Sequence, residues 1–400
     1  MKILFVNEKC GFFGGVEQNI ADTVEGLRVR GHACYLAYGE ISERDLEQYM
    51  ALFAETFLCR EMASITNDGN VQTIDDILGR VSPDVIYFHK IPELKFYMHL
   101  LERVHTVRMI HDHDLCCPRR HKYFISNGRV CHHRLDWRCW IDGAFIARSN
   151  TSRTGFAFVN IREKLKEMRR NYRIDSLLVG SRFMRDELLQ NGFPKEKVHI
   201  LPPVIRMENR TPSPVPTDPV ILYVGQLIRG KGVDLLLHAL QNLPCNFRAN
   251  IVGTGNAELK LKALCTELGL NDRVHFSGWV RNEDLGQFYS EAKVLVVPSR
   301  WPEPFGMIGL EAMHHGRPVI AFGVGGIPDW LEHQKTGLIV REQDVSSLAK
   351  SLERVLTEPG LASKLGQNGL QRVRTKYSFE LYIDRLILHL GGDNPLRGEM

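Results

Sequence analysis

The sequence predicts an α/β protein made of two doubly wound parallel-sheet domains in succession. Short apolar runs alternate with helical patterns from end to end, the alternation breaks once at a proline-rich stretch after Leu201, and it then restarts. A chain of 400 residues is also long for a single core and suits two domains of ordinary size.

In the first half, strands are expected at residues 2–6, 33–37, 85–89, 106–111 and 176–179. The helix after the first of them places Val16, Ile20, Val24 and Leu27 on one face. Pro202-Pro203 through Thr211-Pro212-Ser213-Pro214-Val215-Pro216 reads as an interdomain linker. Beyond it, strands are expected at 220–224, 249–253, 274–277, 294–298, 318–321 and 338–340, with helices such as 257–268 and 345–356 between them. The expected domains are therefore 1–203 and 204–378. Ligands in such folds sit beyond the carboxyl ends of the strands, so a site facing both domains is expected.

Apolar residues make up 44% of the chain and charged residues 24%, a globular balance. No apolar run approaches the roughly 20 residues that span a bilayer. The first apolar run, residues 3–6, is too short for a signal-peptide core, so the expected compartment is the cytoplasm. The net charge of +4 is unevenly spread. Residues 1–100 carry 9 Lys/Arg against 15 Asp/Glu, and residues 101–200 carry 20 against 11. That basic quarter suits an anionic partner such as phosphate or a lipid headgroup, or is a solvated face. Its basic helix at 161–173 can rest on an anionic membrane, and is equally readable as a plain surface helix. A nucleic-acid binder is disfavoured, because aromatics are not interleaved with the charges.

The motif that carries chemistry is Pro298-Ser299-Arg300-Trp301-Pro302-Glu303-Pro304-Phe305-Gly306-Met307-Ile308-Gly309-Leu310-Glu311. Its prolines and Gly306 force a loop after a strand, so a helix begins only near Gly306 or Met307. The amides at that helix start form an anion site suited to a diphosphate. Glu303 and Glu311 would lie about 12 Å apart along a helix axis. A hydrolase pair needs about 5–9.5 Å, so the spacing suits two carboxylates gripping different parts of one long ligand.

With these residues the chain resembles glycosyltransferase family 4, the group 1 retaining transferases with two Rossmann-like domains facing a central cleft (the GT-B fold). Further matches are Phe13-Gly14-Gly15-Val16-Glu17, Tyr223-Val224-Gly225-Gln226-Leu227 with Lys231-Gly232, Ile251-Val252-Gly253-Thr254-Gly255, Val274 to Val280, and Gly325-Gly326-Ile327-Pro328-Asp329. The resemblance implies that Glu303 contacts the donor sugar and Glu311 the nucleoside ribose. It gives backbone amides of Phe305, Gly306 and Met307 to phosphate and sugar oxygens, Lys231 to the diphosphate, and His111 to the donor sugar, with Asp112 orienting its ring. Gly14 and Gly15 let backbone approach the ligand closely, or simply form a tight turn. The base is expected near Gly253 and Val280. The family usually has an arginine where this chain has Gln226; Arg229 is the candidate replacement. The last helix, 379–392, is expected to pack back on the first domain.

The implied activity moves a hexose from a UDP- or GDP-linked donor to a glycan or lipid-linked acceptor in cell-envelope or exopolysaccharide synthesis. It retains the anomeric configuration and needs no metal or other cofactor. A nucleotide-sugar epimerase of the same fold, and a non-catalytic lipid or nucleic-acid binder, are the alternatives. Cys116, Cys117, Cys131 and Cys139 crowd into 24 residues beside several histidines. A structural zinc, a disulfide and reduced structural thiols all fit; the spacing lacks a close ligand pair, which favours the thiols. This cluster is expected to shape acceptor binding in the first domain.

Overall fold

The computed structural model describes residues 1–42, 45–62, 71–124, 127–148, 155–204, 206 and 212–392. Positions 205 and 207–211 of the expected linker lie outside the described residues. The chain forms two compact units. The first comprises Met1–Arg120, His133–Arg206 and Phe379–Met400, and the second His121–His132 and Met207–Ser378.

The first unit is built on a seven-stranded parallel sheet. Its strands are β1 (Lys2–Cys10), β2 (Ala33–Ile41), β3 (Glu55–Leu58), β4 (Val85–Phe88), β5 (His105–Ile110), β8 (Ser176–Val179) and β9 (Val198–Ile200), in the spatial order β3-β2-β1-β4-β5-β8-β9. The remaining two, β6 (Ile146–Arg148) and β7 (Phe156–Phe158), pair antiparallel as a separate ribbon. Strands β4 and β8 are buried along their whole length, and β1 and β5 over most of theirs, as a parallel sheet covered on both faces requires. The helix Gly15–Val29 buries Ile20, Val24 and Leu27, and Val16 is half-buried. The helix Phe379–Leu390 packs against it, with Ile383 filling the space over Gly26. Tyr382 and Thr23 hydroxyls meet at 3.1 Å, and Arg30 pairs with Glu380 at 2.6 Å.

The second unit holds a six-stranded parallel sheet: β10 (Val220–Val224), β11 (Arg248–Val252), β12 (Val274–Gly278), β13 (Val294–Val297), β14 (Val319–Phe322) and β15 (Gly337–Val340), ordered β12-β11-β10-β13-β14-β15. In each sheet the order reverses at one strand. β1 lies between β2 and β4, and β10 between β11 and β13. In doubly wound sheets ligands bind beyond the carboxyl ends of the strands at such a reversal.

Two departures from expectation stand out. Edge strands β3 and β9 and the β6–β7 ribbon are absent from the sequence reading, because runs of three or four residues carry little periodicity. The expected first domain, 1–203, also includes residues 121–132, which belong to the second unit. The physical reason is a hairpin. Phe124 N–H donates to the Arg129 carbonyl at 2.9 Å and Gly128 N–H to the Phe124 carbonyl at 2.8 Å. Val130 N–H then donates to Glu342 Oε1 of the second unit at 3.1 Å. Its tip lies outside the described residues at 125 and 126.

Candidate active site

The loop between β13 and the helix Met307–His314 is shaped by residues that constrain themselves. Gly306 caps the helix at φ 90°, a conformation that disfavours side chains. Gly309 leaves room for Trp330, since a Cβ there would stand 2.0 Å from the indole. The buried Trp330 donates from Nε1 to the Phe305 carbonyl at 2.6 Å and fixes the loop from beneath. Gly326 N–H donates to the Glu303 carbonyl at 2.7 Å, and Gly325 touches the same backbone. The first amides of the helix, beginning at Met307, have no helical carbonyl to donate to and form a positive terminus.

Glu303 is 4% exposed at the mouth of this loop. Lys231 Nζ donates to its two oxygens at 2.7 and 3.0 Å, and Ser299 Oγ donates to Oε1 at 2.5 Å. Lys231 ends the turn Arg229–Lys231 that follows β10, so the reversal of the sheet brings it to Glu303. Tyr223, on β10, is held protonated beyond its ordinary range by burial and then by the Glu303 charge. Its hydroxyl donates to the Gln226 carbonyl at 2.9 Å, while the Gln226 side chain is exposed. Arg229 is exposed in the same turn as Lys231.

Glu311 is buried on the helix, where Tyr289 donates its hydroxyl to Oε2 at 2.8 Å. Burial, followed by the Glu311 charge, keeps that phenol protonated. His315 stacks on the Tyr289 ring at 4.9 Å, and burial lowers its pKa to about 4. Gly253 follows β11 at φ 131°, close against the Gly225 carbonyl, and its amide already donates to Gly278 at 2.7 Å. Val280 is half-buried two residues beyond β12.

In the first unit, Gly14 and Gly15 open the helix after β1 and are exposed. Gly14 is extended at φ −176°, so its value lies in open space above the backbone, with Glu17 Oε2 4.0 Å from where a Cβ would be. His111 follows β5. Its Nε2 meets His89 Nδ1 at 2.8 Å, with the rings stacked at 5.1 Å. Burial, aided by Lys90, pulls the His111 pKa down to about 3, and burial holds His89 well below its ordinary value. Asp112 does not orient the His111 ring as expected. It forms an ion pair with Lys90 and accepts the Asp114 N–H at 2.8 Å. Burial and the Asp114 charge raise the Asp112 pKa to about 6.

The structure thus joins Glu303, Lys231 and the 305–307 backbone in one network, with Glu311 on the helix that follows. Sequence reasoning missed Ser299, Tyr289, His89 and Lys90. The last two lie at the carboxyl end of β4, which was a readable signal. It also missed the hairpin 121–132. Gly128 lies against Arg300, which pairs with Asp234 through two contacts of 2.6 Å and donates to the Arg229 carbonyl at 3.1 Å. The Tyr123 ring covers Gly230, between Arg229 and Lys231. The hairpin therefore buttresses the turn that carries Lys231.

The four crowded cysteines are divided between the two units. All nine cysteines are free thiols. Cys116 and Cys139 pack in the apolar core of the first unit, Cys117 is buried there too, and Cys131 belongs to the second unit. Among the described residues, Cys116, Cys117 and Cys139 form no common ligand set.

Residues 206–372 match the family model described as glycosyl transferases group 1, and residues 13–209 the model of glycosyltransferase family 4. The chain is 34% identical over 163 residues to an uncharacterized glycosyltransferase of Methanocaldococcus jannaschii, covering 40% of this chain and 42% of that protein. It is 30% identical over 220 residues to the alpha-D-kanosaminyltransferase of Streptomyces kanamyceticus, covering 50% and 56%. The chain spans about half the length of the curated relatives it matches. Among solved structures, HepE of Anabaena, in complex with UDP and glucose, aligns with a TM-score of 0.72 at 20% identity over 97% of this chain and 98% of that one. That likeness shows a shared fold of two Rossmann-like domains.

Proposed function

The chain belongs to the group 1 glycosyltransferases of family 4, and on that premise we propose that it transfers a hexose from a nucleoside-diphosphate donor with retention of anomeric configuration and without a metal ion. The observation that carries the reading is Glu303, sunk at the amino end of the helix Met307–His314 and held by Lys231 and Ser299. The UDP and glucose held by HepE support a uridine diphosphate sugar as the first donor to test.

On this reading the diphosphate lies at the helix start, against the 305–307 amides. It draws Lys231 from Glu303, and Arg229 adds charge where Gln226 cannot. Glu303 is then released to accept sugar hydroxyls, and Glu311, set by Tyr289, accepts those of the ribose. Gly253 and Val280 border the base. Gly14, Gly15 and His111 are assigned to the ligand on the family resemblance. The anomeric C–O bond to the phosphate breaks while the acceptor oxygen bonds the same face, and the acceptor proton passes to the departing phosphate oxygen. Positioning and electrostatics carry the rate. The acceptor is a glycan or lipid-linked sugar of cell-envelope or exopolysaccharide synthesis at the cytoplasmic face of a membrane, where the basic helix Ile161–Arg170 makes electrostatic contact. Among the described residues, no helix is long and apolar enough to cross a membrane.

Thermal shift with a panel of nucleotides and nucleotide sugars tests the donor site. Stabilisation by one nucleoside-diphosphate sugar is expected, and silence across the panel removes the reading. Turnover retained in excess EDTA, with an axial product from an axial donor, is the expected mark of metal-free retention.

A further inference from the structure

Thirteen large apolar side chains are exposed among the described residues, and six of them fall between positions 137 and 158: Trp137, Trp140, Ile141, Ile146, Phe156 and Phe158. Phe158 is 86% exposed and Ile141 75%. All belong to the first unit. They form one feature. Trp140 meets the Phe145 ring at 5.4 Å, and Phe145 stacks on Phe158 at 6.3 Å. Val159 N–H donates to the Phe145 carbonyl at 2.7 Å. The short helix Arg138–Ile141 and the β6–β7 ribbon are thereby tied together, with Cys139 and Ala144 rooted in the core.

All three residues of β7 are exposed, on both faces of the strand. A lone two-stranded ribbon is marginal in water, and a contiguous aromatic patch costs free energy when solvated. Such a feature marks a contact surface. Its chemistry selects the partner. Tryptophan and phenylalanine settle at the headgroup boundary of a bilayer. Residues 134–173 carry ten Lys/Arg against four Asp/Glu. The helix that begins at Ile161, two residues after β7 and its adjoining Val159, presents exposed Arg162. That excess complements anionic lipid and opposes a symmetric contact with a second copy, where like charges would meet.

We infer that the Trp137–Ile141 turn and the β6–β7 ribbon form a wedge that inserts into the headgroup boundary of an anionic bilayer, flanked by the basic helix. This sharpens the electrostatic contact suggested for Ile161–Arg170, where Lys166 and Arg170 are partly neutralised by Glu163 and Glu167. The inference rests on the membrane-contact part of the proposed function and not on the transfer reaction.

The test is co-sedimentation of the full chain with phosphatidylcholine vesicles, with and without about a third phosphatidylglycerol. Binding to the anionic vesicles at low salt is expected. Phe158→Ser and Trp137→Ser should each lower the partition coefficient about tenfold, as loss of one buried aromatic predicts. Val29→Ser, an exposed apolar site on another helix of the same unit, should leave it unchanged. Circular dichroism reports folding of each variant, and nucleotide thermal shift, read from the second unit, separates failure of this inference from failure of the transfer reading. No binding to anionic vesicles, equal binding by the patch variants, or a lipid-free dimer abolished by Phe158→Ser overturns it.

Discussion

Replacing Lys231 by methionine keeps the side-chain stem and takes the ammonium away from a carboxylate that is 4% exposed. Glu303 then keeps the Ser299 hydroxyl and loses the contacts of 2.7 and 3.0 Å. Deleting one partner of a fully buried pair costs about 3–5 kcal/mol. The Lys231 side chain is 27% exposed, so water reaches part of the vacated space. The expected cost is about 2 kcal/mol. The reverse change, Glu303→Gln, leaves a lysine that turns to solvent and an amide that still accepts from Ser299, at a cost of about 0.5–1 kcal/mol. The double variant should fall short of the sum by about 1 kcal/mol. A chain of two compact units is not expected to unfold as a single two-state system, so the assay must see the second unit alone. Trp279, Trp301 and Trp330 lie in it, and substituting Trp137 and Trp140 by phenylalanine silences the first. Thermal unfolding followed by tryptophan emission should show Lys231→Met lower by about 4–8 °C. The reasoning fails if Glu303→Gln is as costly as Lys231→Met, or if the two changes simply add.

Gly309→Ala drives a Cβ against the Trp330 indole, and repacking should cost the second unit about 3 kcal/mol in chemical denaturation and abolish the nucleotide thermal shift. Tyr289→Phe removes the hydroxyl that donates to Glu311, and calorimetry should show nucleotide affinity about tenfold weaker, equivalent to about 1.4 kcal/mol. Tyr123→Ala uncovers Gly230, so steady-state kinetics should show a higher donor KM with circular dichroism unchanged. Burial moves the His111 pKa from the ordinary 6.5 to about 3, so the unfolded state takes the proton first on acidification. Its stabilising contribution is present above about 6.5 and is lost as pH falls toward about 3, by at most about 1.4 kcal/mol per pH unit. Asp112, raised to about 6, acts in the opposite sense, gaining as pH falls from there. His111→Gln should therefore flatten the acid limb of the first unit's stability profile, measured by denaturation between pH 7 and pH 4, which covers most of the window that linkage defines.

How much of this was legible follows from where each constraint resides. β13 and β14 read clearly because strands buried on both faces are continuous apolar runs, Val-Leu-Val-Val and Val-Ile-Ala-Phe. The loop before Met307 read clearly because its prolines and Gly306 carry their own backbone restrictions. The pairing of Lys231 with Glu303 spans 72 positions, and no local pattern says which cation meets which carboxylate. The same holds for His89 and His111, 22 positions apart, and Asp112 turned to Lys90 for that reason. The hairpin 121–132 was hidden by its neighbours in sequence. Its turn chemistry, Asn127-Gly128, announces a hairpin, but only the Glu342 and Arg300 contacts show which sheet it serves.

The Lys231–Glu303 pair also changes what binding must mean at this site. Two opposite charges in contact present little net field, so the free protein offers a diphosphate the helix start and the exposed Arg229 before it offers Lys231. A ligand with phosphate alone has to draw the lysine from Glu303 and leaves a buried carboxylate with Ser299 as its remaining partner among these contacts. A ligand carrying both phosphate and a hydroxyl-bearing sugar supplies a donor for each oxygen that loses one. On the proposed donor assignment the exchange would then cost little, and the pair would discriminate for an intact donor over its nucleotide product. On that same assignment the arithmetic would favour product release: once the sugar has left, Glu303 would regain Lys231 and the diphosphate would lose a cation.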